Sequence, residues 1–139
     1  ERRWDGGAYW DSRPEEPLPV TMTYTLTGRG SAVIESFDPG DGPLMTSVYH
    51  PDGDDLRMTH FCGTGNQPRL RATSIEGHPS VIRFSLVDIT NLAHPADAHA
   101  RAAELHFVYA DRLTLKFVFK RGESEAVETI ELTRAAAPE

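Results

Sequence analysis

The stretch Thr59-His60-Phe61-Cys62-Gly63-Thr64-Gly65-Asn66-Gln67-Pro68-Arg69 gathers more chemistry than any other part of the chain. It holds the single cysteine, a histidine, two amides and an arginine, set among glycines and a proline. His60 and Cys62 stand at i and i+2, a spacing that puts both on one face of a strand. An imidazole beside a thiol could seat a soft metal, offer an axial haem ligand, or pair a base with a nucleophile. The competing expectation is a buried cysteine acting as a small hydrophobe and a histidine bonded to Glu35 or Tyr49. That structural role is favoured. A metal needs further ligands, and no paired cysteine or H-x-x-x-H spacing supplies them. No metal site is expected, and no motif calls for a cofactor.

Glu35 is the second candidate. The apolar and threonine residues from Val20 to Thr27 alternate strictly, and Gly28-Arg29-Gly30 turns the chain back. A hairpin there sets Leu26 opposite Val33, Tyr24 opposite Glu35 and Met22 opposite Phe37. Opposed residues share a face, so Glu35 falls among inward apolar residues beside Tyr24. A carboxyl in that setting has its pKa raised and becomes a candidate general acid or base. A charge there needs a partner, and Arg69, Arg71 and His60 are the expected ones. A paired or ligand-orienting role is favoured over catalysis.

The Gly63–Arg69 turn is the third candidate. Asn66 and Gln67 carry donors and acceptors and could read a polar ligand group, or simply pin a tight loop through backbone bonds. No Lys-Ser/Thr pair follows it, so it is not a phosphate loop. Asp52-Gly53-Asp54-Asp55 lacks the spacing of a calcium loop and reads as a hairpin tip. His50, His78, His94 and His106 read as surface or turn residues, and no G-x-S-x-G is present.

The elements that must carry these residues read as strands. Leu44–His50 pairs with the strand after the Asp52-Gly53 turn, which predicts Tyr49 opposite Leu56, Ser47 opposite Met58 and Met45 opposite His60. The shared face is then Met45, Ser47, Tyr49, Leu56, Met58, His60 and Cys62. Arg69–Thr73, Val81–Asp88, Leu105–Tyr109, Leu113–Phe119 and Ala126–Thr133 complete the alternating segments. Residues 1–19 read as an irregular leader whose Trp4, Tyr9 and Trp10 pack across the fold. Pro95–Ala103 reads as a turn or two of helix, and 135–139 as a frayed tail. The pattern predicts one all-β domain over 1–139, a single antiparallel up-and-down barrel of about 8–10 strands with at most one short helix.

Length and composition agree. The chain has 139 residues, 39% hydrophobic and 25% charged, enough for one globular core. Its net charge of −7 argues against nucleic-acid and anionic-membrane partners. No apolar run approaches the length of about 20 residues that a membrane helix needs. One cysteine forbids an internal disulfide. The start at Glu1 rather than Met points to a removed upstream segment.

From Thr23 onward the chain resembles a group of uncharacterised bacterial proteins with a lipocalin-like, calycin-type barrel. The residues that carry the resemblance begin with Tyr24-Thr25-Leu26-Thr27, Gly30-Ser31-Ala32-Val33-Ile34-Glu35 and Pro39-Gly40. Tyr49-His50, Asp52-Gly53, Leu56, Thr59-His60-Phe61-Cys62 and Gly65-Asn66-Gln67-Pro68-Arg69 continue it. Asp88-Ile89-Thr90-Asn91-Leu92 and Phe107-Val108 complete it. The resemblance implies the barrel and no particular activity. Members of the group often look secreted, which implies a secreted or periplasmic location. Two departures stand out: Pro43-Leu44 replaces a frequent His-Glu pair, and His99 with Arg101 replaces two frequent histidines.

These readings converge on a barrel that binds a small apolar or amphipathic molecule. Tyr24, Tyr49, Met58, Phe84, Phe107 and Phe117 would form the wall. Glu35, His60 and Arg69 would orient the polar group, Cys62 would share the inward face of His60, and Asn66 and Gln67 would stand at the lip. The alternatives are an enzyme with Glu35 or His60 as acid or base, and a structural domain with a filled core.

Overall fold

The computed structural model describes residues 1–76 and 80–136. Ten antiparallel strands close into one barrel. They are β1 Arg2–Trp10, β2 Leu18–Thr27, β3 Ala32–Asp38, β4 Met45–Asp52 and β5 Asp55–Phe61. They continue as β6 Gln67–Glu76, β7 Ser80–Thr90, β8 His99–Tyr109, β9 Arg112–Arg121 and β10 Ser124–Arg134. Each strand pairs with the next in sequence, and β1 pairs with β10 to seal the sheet. Among the described residues the one helical piece is a 3₁₀ turn at Gly28–Gly30. The turn Glu76-Gly77-His78-Pro79, including His78, falls largely outside the described residues, as do 137–139.

The alternating pattern does the sorting. Inward positions of neighbouring strands meet as Met22 against Phe37, Met58 against Leu70, Phe84 against Ala103, and Leu115 against Ile130. All eight are buried, and together they fill the middle of the barrel. The outward face carries ion pairs such as Arg101–Glu125 and Arg83–Glu104.

The β2–β3 hairpin has the expected register, with Tyr24 opposite Glu35 and Met22 opposite Phe37. The β4–β5 hairpin is displaced by two residues from expectation: Tyr49 lies opposite Met58 and Ser47 opposite His60. Asp52 pairs with Asp55, so the two turn residues are Gly53 and Asp54, with Gly53 at φ 62°. A tight hairpin with glycine at its first central position explains the choice. An even displacement leaves every side chain on its expected face. It does move His60 from Met45 to Ser47.

Two segments depart from expectation. Residues 2–10, expected to be irregular, form β1 and close the barrel. Gly6 reads as a breaker in sequence, yet it permits the closure. A Cβ built there would lie 1.8 Å from the Glu131 carbonyl oxygen of β10. Glycine in a strand marks just such a close backbone approach. The second departure is 95–103, expected to include a helical turn. His99 onward is strand β8, with a register shift between Ala100 and Ala102. Small residues suit the crowded interior here, where Ala100 and Ala103 are fully buried. Tertiary packing overrides the helical preference of alanine. Ala135, assigned to the frayed tail, is tied by its N–H to the Arg3 carbonyl at 3.0 Å.

Closure through Gly6 is testable. Gly6→Ala should lower stability to urea by about 2 kcal/mol or more, because backbone must move. Gly7→Ala, whose Cβ would meet nothing nearer than 3.4 Å, should cost far less. Equal effects in the two denaturation curves would contradict the role of Gly6.

Candidate functional site

Four adjacent strands place a polar cluster inside the barrel. Tyr24 comes from β2, Glu35 from β3, and Ser47 and Tyr49 from β4. His60 joins from β5, directly opposite Ser47. Glu35 and His60 are each only 2% exposed. The Tyr24 and Tyr49 hydroxyls both donate to Glu35 Oε2, at 2.8 and 2.9 Å. Ser47 lies directly opposite Glu35 in the β3–β4 pairing. Ser47 Oγ lies 2.8 Å from His60 Nδ1. The His60 ring leans on Phe117, with centroids 5.1 Å apart. Its Nε2 is buried with no hydrogen-bond partner among the described residues.

Burial sets the electrostatics. Loss of hydration disfavours the charged form of each group. It raises Glu35 to about 7 against the opposing pull of Tyr24, Tyr49 and Ser47. It lowers His60 to about 4, so the imidazole is neutral at physiological pH. The Tyr24 and Tyr49 phenols are pushed up by burial first and by the nearby Glu35 charge second. The cluster is thus one carboxyl that titrates near neutrality, two committed phenol donors and one neutral imidazole.

A small cavity touches both Glu35 and His60. It is lined by Met22, Glu35, Phe37, Met45, Ser47, His60, Phe117 and Ile130, and its volume is about 10 Å³. That is close to the minimum of roughly 10–15 Å³ for one water. The ligand-sized cavity expected from the sequence is therefore not open at this site. Met58, Phe84 and Phe117 are all buried in the core, and Phe107 stands at the rim, 43% exposed.

The remaining expected site residues lie elsewhere. Arg69 points outward, opposite Asp88, and forms a two-pronged ion pair with it. Pro68 and Leu70 take the buried positions on either side, which leaves Arg69 the outer face. It therefore orients nothing inside the barrel. Cys62 is a half-buried free thiol just past β5. Its N–H bonds the Asn66 carbonyl, and its own carbonyl receives the Gly65 N–H. Asn66 donates to the Ala98 carbonyl at 3.0 Å. Gln67 donates to the Gly65 carbonyl and accepts from Thr90 and Asn91. The loop is thus pinned to itself and to the β7–β8 connection. Among the described residues, no three His, Cys, Asp or Glu are placed to hold a metal.

Two participants escaped the sequence reading. Ser47 was on the correct face, but its partnership with His60 depends on the displaced hairpin register. Glu128 shares the inward series of β10 with Ile130 and Leu132, opposite Trp10 and Phe117. Burial raises it to about 7, and its Oε1 has no partner among the described residues. Its signal was present in sequence: a charge interrupting the alternating apolar positions, as at Glu35.

No family model matches the chain, and no curated protein matches it. It is similar in structure to a protein with unknown function from the DUF3598 family of Nostoc punctiforme. The TM-score is 0.62 at 13% sequence identity, over 96% of this chain and 47% of that one. This chain spans about half the length of that protein. The likeness shows the barrel fold alone. No helix among the described residues is long and apolar enough to cross a membrane.

The burial of Glu35 has a signed consequence. Its folded pKa of about 7 exceeds the ordinary 4.5, so its neutral form stabilises the fold below pH 4.5. That contribution is lost as pH rises through 7. Glu35→Gln removes the dependence. Relative to wild type, the variant should gain about 1.4 kcal/mol per pH unit between the two pKa values. Urea denaturation at pH 5 and pH 7.5 checks this, and a pH-independent difference would contradict it.

Proposed function

We propose that the protein is a lipocalin-like, small-molecule-binding barrel whose site is the chamber between Glu35, Ser47 and His60. One observation carries the reading. A buried imidazole nitrogen with no hydrogen-bond partner among the described residues belongs to a ring that lines the same cavity as the buried Glu35 carboxyl. Native interiors pair nearly all their buried polar atoms, so an orphan on a residue that lines a cavity points to a visiting group. The resemblance of the sequence to lipocalin-like barrels supports the same conclusion.

The packed interior narrows the ligand. A long apolar chain has no room, so the ligand is a small amphipathic molecule with one polar head. Entry requires a side chain to give way. Met22 and Met45 both line the cavity, and Met45 is only partly buried. Methionine is unbranched and adapts its shape at little cost. Met45 is the first residue of β4, beside the β3–β4 connection, and a change of its rotamer would enlarge the chamber. An enzyme is the second reading, supported by the pKa of Glu35 near 7, which suits general acid–base work at neutral pH.

Phenol is a suitable probe, with a compact apolar body and one hydroxyl. With ¹³C-methyl methionine labels, phenol should shift the Met22 and Met45 signals and leave Met58 nearly unchanged. His60→Phe should weaken phenol about tenfold or more, the cost of a lost buried hydrogen bond. Arg69→Ala should leave binding unchanged. Unshifted Met22 and Met45 signals at millimolar phenol would overturn the binding reading. Native mass spectrometry of the gently purified protein adds a direct search for a retained ligand.

A further inference from the structure

We propose that the barrel end beside Trp10 is a second, separate binding site, which takes a small alkylammonium ion between the Glu128 carboxylate and an arc of aromatic rings. It does not rest on the Glu35 chamber, with which it shares only Phe117.

Strand register builds the site. β10 lies between β1 and β9. Glu128 stands opposite Trp10 on one side and Phe117 on the other. Opposed residues share a face, so all three are on the inner face of the sheet. The Trp10 ring meets Phe119 edge-on, with centroids 5.6 Å apart and planes at 63°. Phe119 in turn meets Phe117, centroids 6.2 Å apart. Trp10 and Phe119 come from strands that are not neighbours in the sheet, so their contact spans β10 beside Glu128. Ala126 makes room for it: it lies opposite Phe119, two residues before Glu128 on the same face, and carries only a methyl group. Ala126 is exposed, as is Trp10 at 44%. The carboxyl therefore stands near an open barrel end, walled by rings.

The wall lacks what a buried carboxylate needs. Glu128 Oε1 is buried and has no hydrogen-bond partner among the described residues. The charged neighbours on the flanking strands lie on the other face. Asp11 accepts from the Thr129 hydroxyl at 2.6 Å there, Lys116 stands opposite Thr129, and Lys120 opposite Glu125. On the inner side, His60 leans on Phe117. Burial alone raises Glu128 to about 7, with no charged neighbour contributing. Each feature selects part of the ligand. The bare oxygen requires a hydrogen-bond donor, which excludes a quaternary ammonium. A carboxylate without an internal cation favours a donor that is itself positive. Aromatic faces attract cations and cover alkyl groups. A primary ammonium with a short alkyl tail meets all three demands. The net charge of −7 draws cations toward the protein.

Butylammonium and butanol, alike in shape, test the site. The amine stays cationic from pH 5.5 to pH 8, as a lysine side chain does. At pH 8, millimolar butylammonium should shift the Trp10 indole N–H signal in ¹H–¹⁵N NMR and leave that of Trp4, at the other end of β1, unchanged. It should bind about tenfold more tightly than butanol. At pH 5.5, where Glu128 is protonated, that advantage should shrink about tenfold. Glu128→Gln should remove the advantage at both pH values, and Glu35→Gln should leave it intact. Equal binding of the two probes at pH 8, an unmoved Trp10 signal, or an advantage that survives Glu128→Gln would overturn the site. So would loss of the advantage in Glu35→Gln, which would place the amine in the chamber instead. The phenol titration of Met22 and Met45 decides the chamber independently of all these outcomes.

Discussion

The pairing of β1 with β10 is the contact on which the rest of the molecule depends. An open ten-strand sheet would expose two edges of unpaired backbone groups and leave its inner face wet. Closure removes both edges and turns the inner face into a dry interior. The approach is so close at Gly6 that a side chain there would overlap the Glu131 backbone. Only behind that seal does Glu35 reach 2% exposure and lose enough hydration for its pKa to approach neutrality. The chemistry of the interior is a consequence of the seam.

The interior meets a buried carboxyl with hydroxyls rather than with a cation. Two phenols and a serine stabilise the ionised form without adding a full opposite charge. An arginine in their place would hold the carboxyl ionised at all ordinary pH. Hydroxyl partners leave it able to gain and lose a proton near pH 7. The cost is retained in the fold, since burying a charge is only partly compensated by neutral donors. His60 runs in the opposite sense, because burial favours its neutral form. The two groups therefore divide the work: one holds charge or proton, and the other presents a neutral ring to the cavity.

Much of this was legible from alternation. β2 alternates without interruption, and the turn residues Gly28, Arg29 and Gly30 that follow it all take positive φ. That hairpin, and with it the inward position of Glu35 beside Tyr24, is readable directly. His60 and Tyr49 are readable as inward residues because a two-residue displacement preserves faces. The Ser47–His60 partnership is not, because it depends on which two residues form the turn. β1 is hidden because Gly6 is permissive in isolation and obligatory only against β10. β8 is hidden because its alanines favour helix and its register shift breaks the alternation. Arg69 was placed inside because it borders the polar loop, but Pro68 and Leu70 claim the inward positions around it. The size of the interior was beyond reach, since it depends on how three methionines and several aromatics settle together in a closed space.

The carboxyl titration of Glu35 tests the closed polar interior most directly. ¹³C NMR of side-chain carboxyls, assigned with Glu35→Gln and Glu128→Gln, follows the group itself. A midpoint near 7 for Glu35, with the His60 ring remaining neutral through the same range, is the predicted result. A midpoint at the ordinary 4.5 would mean that water reaches the carboxyl, and would contradict the sealed cluster on which the site is built.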